Sequence, residues 1–154
     1  MILRPEATAA AFLDDGWVRT GDVYVREADG NYTFLGRNSD MIKAGGIWVS
    51  PAEVESALIE HEAIAEAAAV GKPDPVNMEV VKAFVALKPG FTPSEDIELS
   101  IMNFIRKKLS ALAMPQEIEV LDKLPKTRSG KILRRYLKAL EWGEEVGDLS
   151  TLED

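Results

Sequence analysis

The residues best suited to chemistry lie in one basic loop, residues 125–132, which reads Pro-Lys-Thr-Arg-Ser-Gly-Lys-Ile. The stretch 125–138 holds six Lys or Arg residues and no acid, although the net charge of the protein is -8. A Ser-Gly turn opening a helix would present backbone N–H groups and the positive end of the helix dipole to an anion. Lys131, directly after that turn, could place a mobile ammonium against a phosphate or carboxylate. From charge and spacing alone, a solvated basic helix start is an equally good interpretation.

Two weaker candidates lie upstream. Asp22 follows a Thr-Gly pair and could accept hydrogen bonds from a vicinal diol such as a ribose, but an aspartate after glycine is usually turn chemistry. Arg37 precedes a polar break, and the segment Lys43-Ala44-Gly45-Gly46 has paired glycines that would let a ligand approach the backbone closely. In isolation, we favour a plain hairpin with a glycine turn for this segment.

Composition excludes several classes of protein. The chain has 154 residues, of which 46% are hydrophobic and 29% charged, as in a soluble globular protein of one domain or two small ones. No apolar run is long enough to span a membrane, and no secretory signal is evident, so we expect a cytoplasmic protein. With no cysteine and one histidine, His61, no metal site is predicted. The negative net charge argues against nucleic-acid binding.

The elements that must position these residues are short. Strands are predicted at 23–26, 32–35, 63–70, 80–87 and 117–121, with a small hairpin across 41–49. Capping boxes at 50–53 and 92–95 start two helices, and a third helix is predicted at 132–140. Trp17 and Trp48 are interpreted as packing residues, and His61 as a surface residue or helix cap. This mixture of short sheets and covering helices predicts an α+β fold.

In combination, the motifs resemble the C-terminal end of the adenylate-forming enzymes, a family of acyl- and aryl-CoA synthetases, luciferases and peptide-synthetase adenylation domains. The resemblance covers Pro5 to Leu140. It rests on Arg19–Asp22, then Gly36–Gly46 running into Ser50–Glu55, then Pro125–Lys131. Within the family, Ile47–Pro51 and Ala67–Gly71 look most like benzoate and related aryl-CoA ligases.

The resemblance implies a reaction in two steps. A carboxylic acid and ATP form an acyl-adenylate with release of pyrophosphate, and the acyl group then passes to the thiol of CoA. Lys131 matches the catalytic lysine of adenylation. Asp22 and Arg37 match residues that bind the nucleotide. Gly46, with Lys43 and Gly45 beside it, matches the face used in thioester formation.

The resemblance also implies a hinge between two domains. Most members have Asp or Lys two residues after the motif arginine, whereas this chain has Ser39, followed by Asp40. Residues 1–38 would be the end of the N-terminal adenylation domain, with a β-hairpin remnant. Residues 39–140 would be a small C-terminal lid domain with a two-stranded hairpin and a three-stranded sheet covered by helices. Residues 141–154, with six acids and no base, would be an acidic tail.

A chain of this length cannot hold the family's large N-terminal domain, which carries the phosphate loop and acyl pocket and binds most of the ATP and Mg²⁺. We therefore expect a lid fragment that is inactive alone and whose partners are that domain, a small carboxylic acid, ATP and CoA, with neither nucleic acid nor membrane. The alternative is a stand-alone module that binds a nucleotide, CoA or a protein without catalysis. Whether the chain forms a homo-oligomer is left open.

Overall fold

The computed structural model describes residues 5–147 and divides the chain into two compact units between Ser39 and Asp40. Half of the predicted acidic tail, residues 148–154, lies outside the described residues. Within the described part, no helix is both long and apolar enough to cross a membrane.

The first unit contains a short helix and a hairpin. Helix α1 is Pro5–Ala11, and strands β1, Asp22–Arg26, and β2, Tyr32–Arg37, pair antiparallel. The carboxylate of Asp29 accepts hydrogen bonds from the backbone and the side chain of Asn31, both at 2.9 Å, and these bonds lower the pKa of Asp29. The β-hairpin predicted from strands 23–26 and 32–35 is therefore present, and its turn contains the pair Asp29-Gly30, a sequence that favours hairpin turns.

The second unit is a five-stranded sheet with three helices. Its elements are β3 Ile42–Ala44, β4 Ile47–Val49, α2 Pro51–Ile59, β5 Ile64–Asp74, β6 Met78–Leu87, α3 Glu95–Lys108, β7 Glu117–Val120 and α4 Arg134–Trp142. The strand order is β4-β3-β6-β5, and β7 also pairs with β6.

Strand β6 is the centre of this sheet. It pairs antiparallel with β5 from Asp74↔Met78 to Ile64↔Leu87. Its other edge meets β3 at one residue pair, Ala44↔Glu79, and then β7 along residues 82–85. The predicted α+β class is confirmed: the hairpin β3–β4 and the three-stranded sheet β5–β6–β7 both form, and that one pair joins them.

Strand β5 is longer than predicted. The strand predicted at 63–70 does not end there, and the segment Gly71-Lys72-Pro73-Asp74 continues it. Proline is tolerated there because β5 is an edge strand. The turn lies just beyond, where the Asp74 carboxylate accepts the N–H groups of Val76 and Asn77 at 3.0 and 2.7 Å.

Both faces of the sheet are covered. Alternate residues of a strand face opposite sides, so Ala67 and Ala69 join one core cluster while Ala68 and Val70 join the other. Helices α2 and α3 supply residues to the first cluster, including Leu58 and Ile101. Helix α4 covers the second through Leu137, beside Phe84 and Leu124.

A buried cation lies between β6, β7 and α4. The Lys82 ammonium contacts Glu117 and Glu119 at 2.8 Å each and Glu141 at 2.5 Å, and its side chain is 5% exposed. Burial alone would lower the pKa of Lys82, but the hydrogen bonds to three carboxylates outweigh that effect and raise it. The lysine therefore stays charged and ties three elements together.

A second ion pair fixes the start of α4. Glu55 of α2 is buried, and its carboxylate accepts the Ala69 N–H at 2.9 Å and the Arg134 Nε–H at 2.6 Å, while Arg134 Nη2 binds the other oxygen. The hydrogen bond to Glu55 raises the pKa of Arg134. This bidentate pair connects α2, β5 and α4.

His61 is not a surface residue, and the α2 cap is Glu60, so both interpretations of His61 were wrong. It is 5% exposed, and its ring packs edge-on against Phe104 with centroids 5.4 Å apart. Nδ1 accepts the Ala63 N–H at 3.2 Å, so Nε2 donates to Ser100 Oγ at 3.1 Å. Both ring nitrogens are satisfied with the imidazole neutral.

The buried His61 predicts a pH-dependent stability. Burial lowers the pKa of His61 in the folded state, so its contribution is complete above the unfolded value of about 6.5 and is lost as the pH falls through the folded value. We expect the free energy of unfolding in urea to fall between pH 7 and pH 5. The variant His61→Asn should lose most of this decline. Parallel pH profiles for the two proteins would contradict the assignment.

The Glu55–Arg134 pair predicts a stability difference between two arginines. Arg134→Met removes the cation from a buried carboxylate and should lower the free energy of unfolding by about 2 kcal/mol, the usual size for a hydrogen bond to a charged group. Arg106→Met, at an exposed position on α3, should change it by less than about 0.5 kcal/mol. Urea unfolding of both variants measures the difference, and equal effects would refute it.

Candidate functional site

The basic loop is a closed turn rather than a helix start. Helix α4 begins at Arg134, and Leu133 at its N-cap makes no side-chain capping bond. A β-bridge pairs Lys126 with Ile132 across the turn. The prediction that the Ser-Gly turn opens the helix at about residue 132 is therefore wrong, because the bridge places Ile132 on the returning arm of the turn and α4 begins only at Arg134.

Thr127 closes this turn. Its N–H donates to the carbonyl of Lys131 at 2.8 Å, and its carbonyl accepts the N–H of Gly130 at 2.7 Å. Its hydroxyl accepts the Lys131 N–H at 3.2 Å and shares a hydrogen bond with Ser129 Oγ at 2.9 Å. The backbone of Lys131 is therefore held in place by hydrogen bonds, while the residue is exposed at the surface.

The turn is attached to the far end of the sheet. Lys126 forms an ion pair with Glu66 of β5, and Leu133 N–H donates to the carbonyl of Pro125 at 2.9 Å. Glu66 lies opposite Ala86 of β6. This contact could not be predicted from local pattern, since Lys126 and Glu66 are 60 residues apart in the sequence.

The predicted thioester-face residues lie on the hairpin β3–β4. Gly45 and Gly46 have φ of +56° and +83°, which glycine adopts readily in a two-residue hairpin turn. A Cβ added at Gly45 would lie 3.2 Å from Leu112 Cδ2, whereas one at Gly46 would meet nothing within 4 Å. The backbone at Gly46 is therefore open to a ligand.

The hairpin borders an open groove of about 430 Å³, lined in part by Trp48, Lys108 and Leu112. The Lys43 ammonium lies 5.5 Å from the centroid of the Trp48 ring. Trp48 is 59% exposed and Trp17 is 72% exposed, so the interpretation of both as packing residues was wrong.

The hairpin and the basic loop lie at opposite ends of the sheet. The hairpin is attached at Glu79, and the loop at Glu66, which is opposite Ala86. These positions are seven residues apart on β6, which at about 3.3 Å per residue gives about 23 Å between the two attachment points. The candidate residues of the second unit therefore form two separate sites.

Within the first unit, Asp22 and Arg37 are brought together. They are paired across β1 and β2, and Arg37 Nε lies 3.1 Å from Asp22 Oδ1. Arg37 Nη1 also donates to the carbonyl of Thr20 at 2.7 Å, and the Thr20 hydroxyl accepts the Asp22 N–H at 3.2 Å. A carboxylate and a guanidinium side by side could serve the hydroxyl and phosphate groups of one nucleotide.

The predicted hinge residues, Ser39 and Asp40, lie on either side of the division between the two units. The charge of Asp40 also acts on Arg134: it adds to the larger effect of Glu55 in raising the pKa of that guanidinium. Asp40 is thus electrostatically coupled to the start of α4.

Known proteins resemble this chain in both sequence and structure. The acetyl-coenzyme A synthetase of Bacillus subtilis is 51% identical over 150 residues, which are 97% of this chain and 26% of that protein. The benzoate–CoA ligase of Thauera aromatica is 45% identical over 135 residues, which are 88% of this chain and 25% of that protein. The chain thus spans about a quarter of the length of these relatives.

A solved anthranilate CoA ligase in complex with anthranoyl-AMP superposes with a TM-score of 0.80 at 42% identity, covering 90% of this chain and 27% of that one. The sequence profile of the AMP-binding enzyme C-terminal domain matches residues 53–131. The chain therefore belongs to the family of AMP-binding enzyme C-terminal domains, as the resemblance implied.

Proposed function

We propose that this chain is the C-terminal lid of an ATP-dependent acyl- or aryl-CoA ligase, which forms an acyl-adenylate and then a thioester with CoA. The observation that carries the proposal is the placement of Lys131 and Gly46 at opposite ends of one sheet. A unit with two such sites can present only one of them to a bound adenylate at a time. Two successive half-reactions need this arrangement.

In the first half-reaction, Lys131 acts as the catalytic cation. Adenylation develops negative charge around the α-phosphorus and the attacking carboxylate, and a positioned ammonium stabilises that charge. The exposed side chain and the backbone fixed by Thr127 suit this role. Such a donor contributes about 3 kcal/mol to transition-state stabilisation.

In the second half-reaction, the hairpin replaces the basic loop. The missing side chain at Gly46 leaves space for the extended arm of CoA, and Lys43 lies beside the same turn. The groove next to Trp48 continues this surface. A rotation about the hinge at Ser39 and Asp40 would exchange the two sites.

The nucleotide is bound from the first unit in this proposal. Asp22 would accept the ribose hydroxyls of ATP, and Arg37 beside it would contact the same nucleotide. We assign residues 1–39 to the end of the N-terminal adenylation domain, 40–142 to the lid and the rest to an acidic tail. The boundaries predicted from sequence, after residues 38 and 140, are moved because the units divide after Ser39 and because α4, whose Glu141 binds Lys82, ends at Trp142.

The remainder of that domain would supply the acyl pocket and the phosphate loop, and the chain by itself would be inactive. Among residues 5–147, no three His, Cys, Asp or Glu side chains are arranged to hold a metal ion. In this proposal, as the resemblance implied, Mg²⁺ with ATP is bound mainly by the N-terminal adenylation domain.

Replacement of Lys131 should separate the two steps. In the full-length enzyme, Lys131→Ala should slow adenylation, followed by pyrophosphate exchange, by about a hundredfold or more. Thioester formation from a supplied acyl-adenylate should continue nearly unchanged. Lys123→Ala, at an exposed lysine outside the loop, is the control. An equal loss of both steps in Lys131→Ala would refute the role.

Replacement of Gly46 should have the opposite effect. Gly46→Leu should slow CoA transfer by about tenfold or more, because the side chain fills the space over the turn, while adenylation persists. Gly90→Leu is a matched control: Gly90 also has positive φ, +95°, and an added Cβ there would meet nothing within 4 Å. Unchanged CoA transfer in Gly46→Leu would contradict the role of the hairpin.

A further inference from the structure

We infer that Glu79 is a positioning residue for thioester formation: its carboxylate holds the hairpin β3–β4 in the orientation that transfer to CoA requires. This inference rests on the proposed function of Lys43, Gly45 and Gly46. Glu79 lies in β6, outside the segments that suggested a site from sequence.

The hairpin packs into the core through Ile42, Ala44 and Val49, and polar contacts at one end of β6 complete its attachment. Among the described residues, Ala44↔Glu79 is the one register pair between β3 and β6. Beside it, Glu79 Oε2 accepts the N–H of Lys43 at 2.6 Å. Glu79 thus contacts the hairpin with both its backbone and its side chain, and a hydrogen bond to an ionised carboxylate is about twice as strong as a neutral one.

A neighbouring turn supplies the third attachment. The carbonyl of Asn77 accepts the Gly45 N–H at 2.9 Å. The Asp74 carboxylate fixes this turn through the N–H groups of Asn77 and Val76, and these bonds lower the pKa of Asp74. Met78 has φ of +69°, a left-handed conformation that costs energy for a residue with a side chain. The surrounding hydrogen bonds stabilise this conformation of Met78, in which its neighbours Asn77 and Glu79 both accept hydrogen bonds from the hairpin.

Gly71 makes room for the Glu79 carboxylate. A Cβ added at Gly71 would lie 2.9 Å from both Cδ and Oε2 of Glu79, which is closer than real contacts. Gly71 is buried in β5 and its φ is not in the left-handed region. Its lack of a side chain is therefore explained by the space that Glu79 occupies, not by backbone conformation.

These contacts connect Glu79 to one half-reaction only. They reach Lys43, Ala44 and Gly45, while the loop of Lys131 is attached about 23 Å away at the other end of β6. A misplacement of about 1 Å can cost a hundredfold in rate. Loss of the carboxylate should therefore slow CoA transfer and leave adenylation intact, whereas a general loss of structure would lower both.

The test measures both half-reactions in the full-length enzyme. Glu79→Ala should slow thioester formation from a supplied acyl-adenylate about tenfold or more, with the adenylation rate unchanged. Glu79→Gln retains an acceptor oxygen and should restore most of the rate. Gly71→Ala, which displaces the carboxylate without removing it, should resemble Glu79→Ala. Glu95→Ala, the same change at an exposed glutamate, is the control.

Unchanged thioester formation in Glu79→Ala, an equal loss of both half-reactions, or no recovery in Glu79→Gln would overturn the inference. If Glu79→Ala does not fold, Gly71→Ala decides by the same criteria. Gly46→Leu in the same assay distinguishes failure of the positioning role of Glu79 from failure of the proposed role of the hairpin. If it slows CoA transfer while the Glu79 variants do not, the positioning role alone is wrong. If it has no effect either, the role of the hairpin fails as well.

Discussion

The second unit depends on the pairing of β6 along both of its edges. The antiparallel ladder with β5 runs the whole length of β6, from Met78 to Leu87, and aligns the two core faces. The other edge is shared end to end by β3 and β7. Because the two candidate sites attach to opposite ends of this ladder, the strand fixes the distance between them.

Buried charge completes this arrangement. Lys82 and Arg134 are cations held by carboxylates, and each of the two joins α4 to the rest of the unit. Although the net charge of the protein is -8, these two cations, each in contact with at least one carboxylate, are part of the packed structure. Removing Arg134 would leave the buried carboxylate of Glu55 without its cation, which is the costly outcome for such a pair.

Local signals predicted the elements well. Ser50 caps α2 by accepting the Glu53 N–H at 3.2 Å, as its capping box indicated. The next helix begins after Ser94, two residues later than the corresponding box implied, because Ser94 accepts the Ile97 N–H. The buried His61 was missed because its partners, Ser100 and Phe104, are distant in sequence. The longer β5 and the closed turn of the basic loop rest on local pairing, which propensity alone did not indicate across Pro73 or across the Ser-Gly pair.

The residues of the candidate sites were predicted less completely than the helices and strands. The hairpin register brings Asp22 and Arg37 together. Their proximity could be predicted, because the two strands are joined by a short turn that contains an Asp-Gly pair. The roles of these residues, and of Lys131 and Gly46, come from the resemblance and remain predictions. The contacts of Glu79 and Glu66 were not predicted, since their partners Lys43 and Lys126 lie 36 and 60 residues away in the sequence. The ladder of β6 has one more consequence. Because one strand holds both candidate sites, any rotation of the unit that brings one site to the adenylate moves the other site away. In the proposed cycle the two steps therefore exclude each other in time.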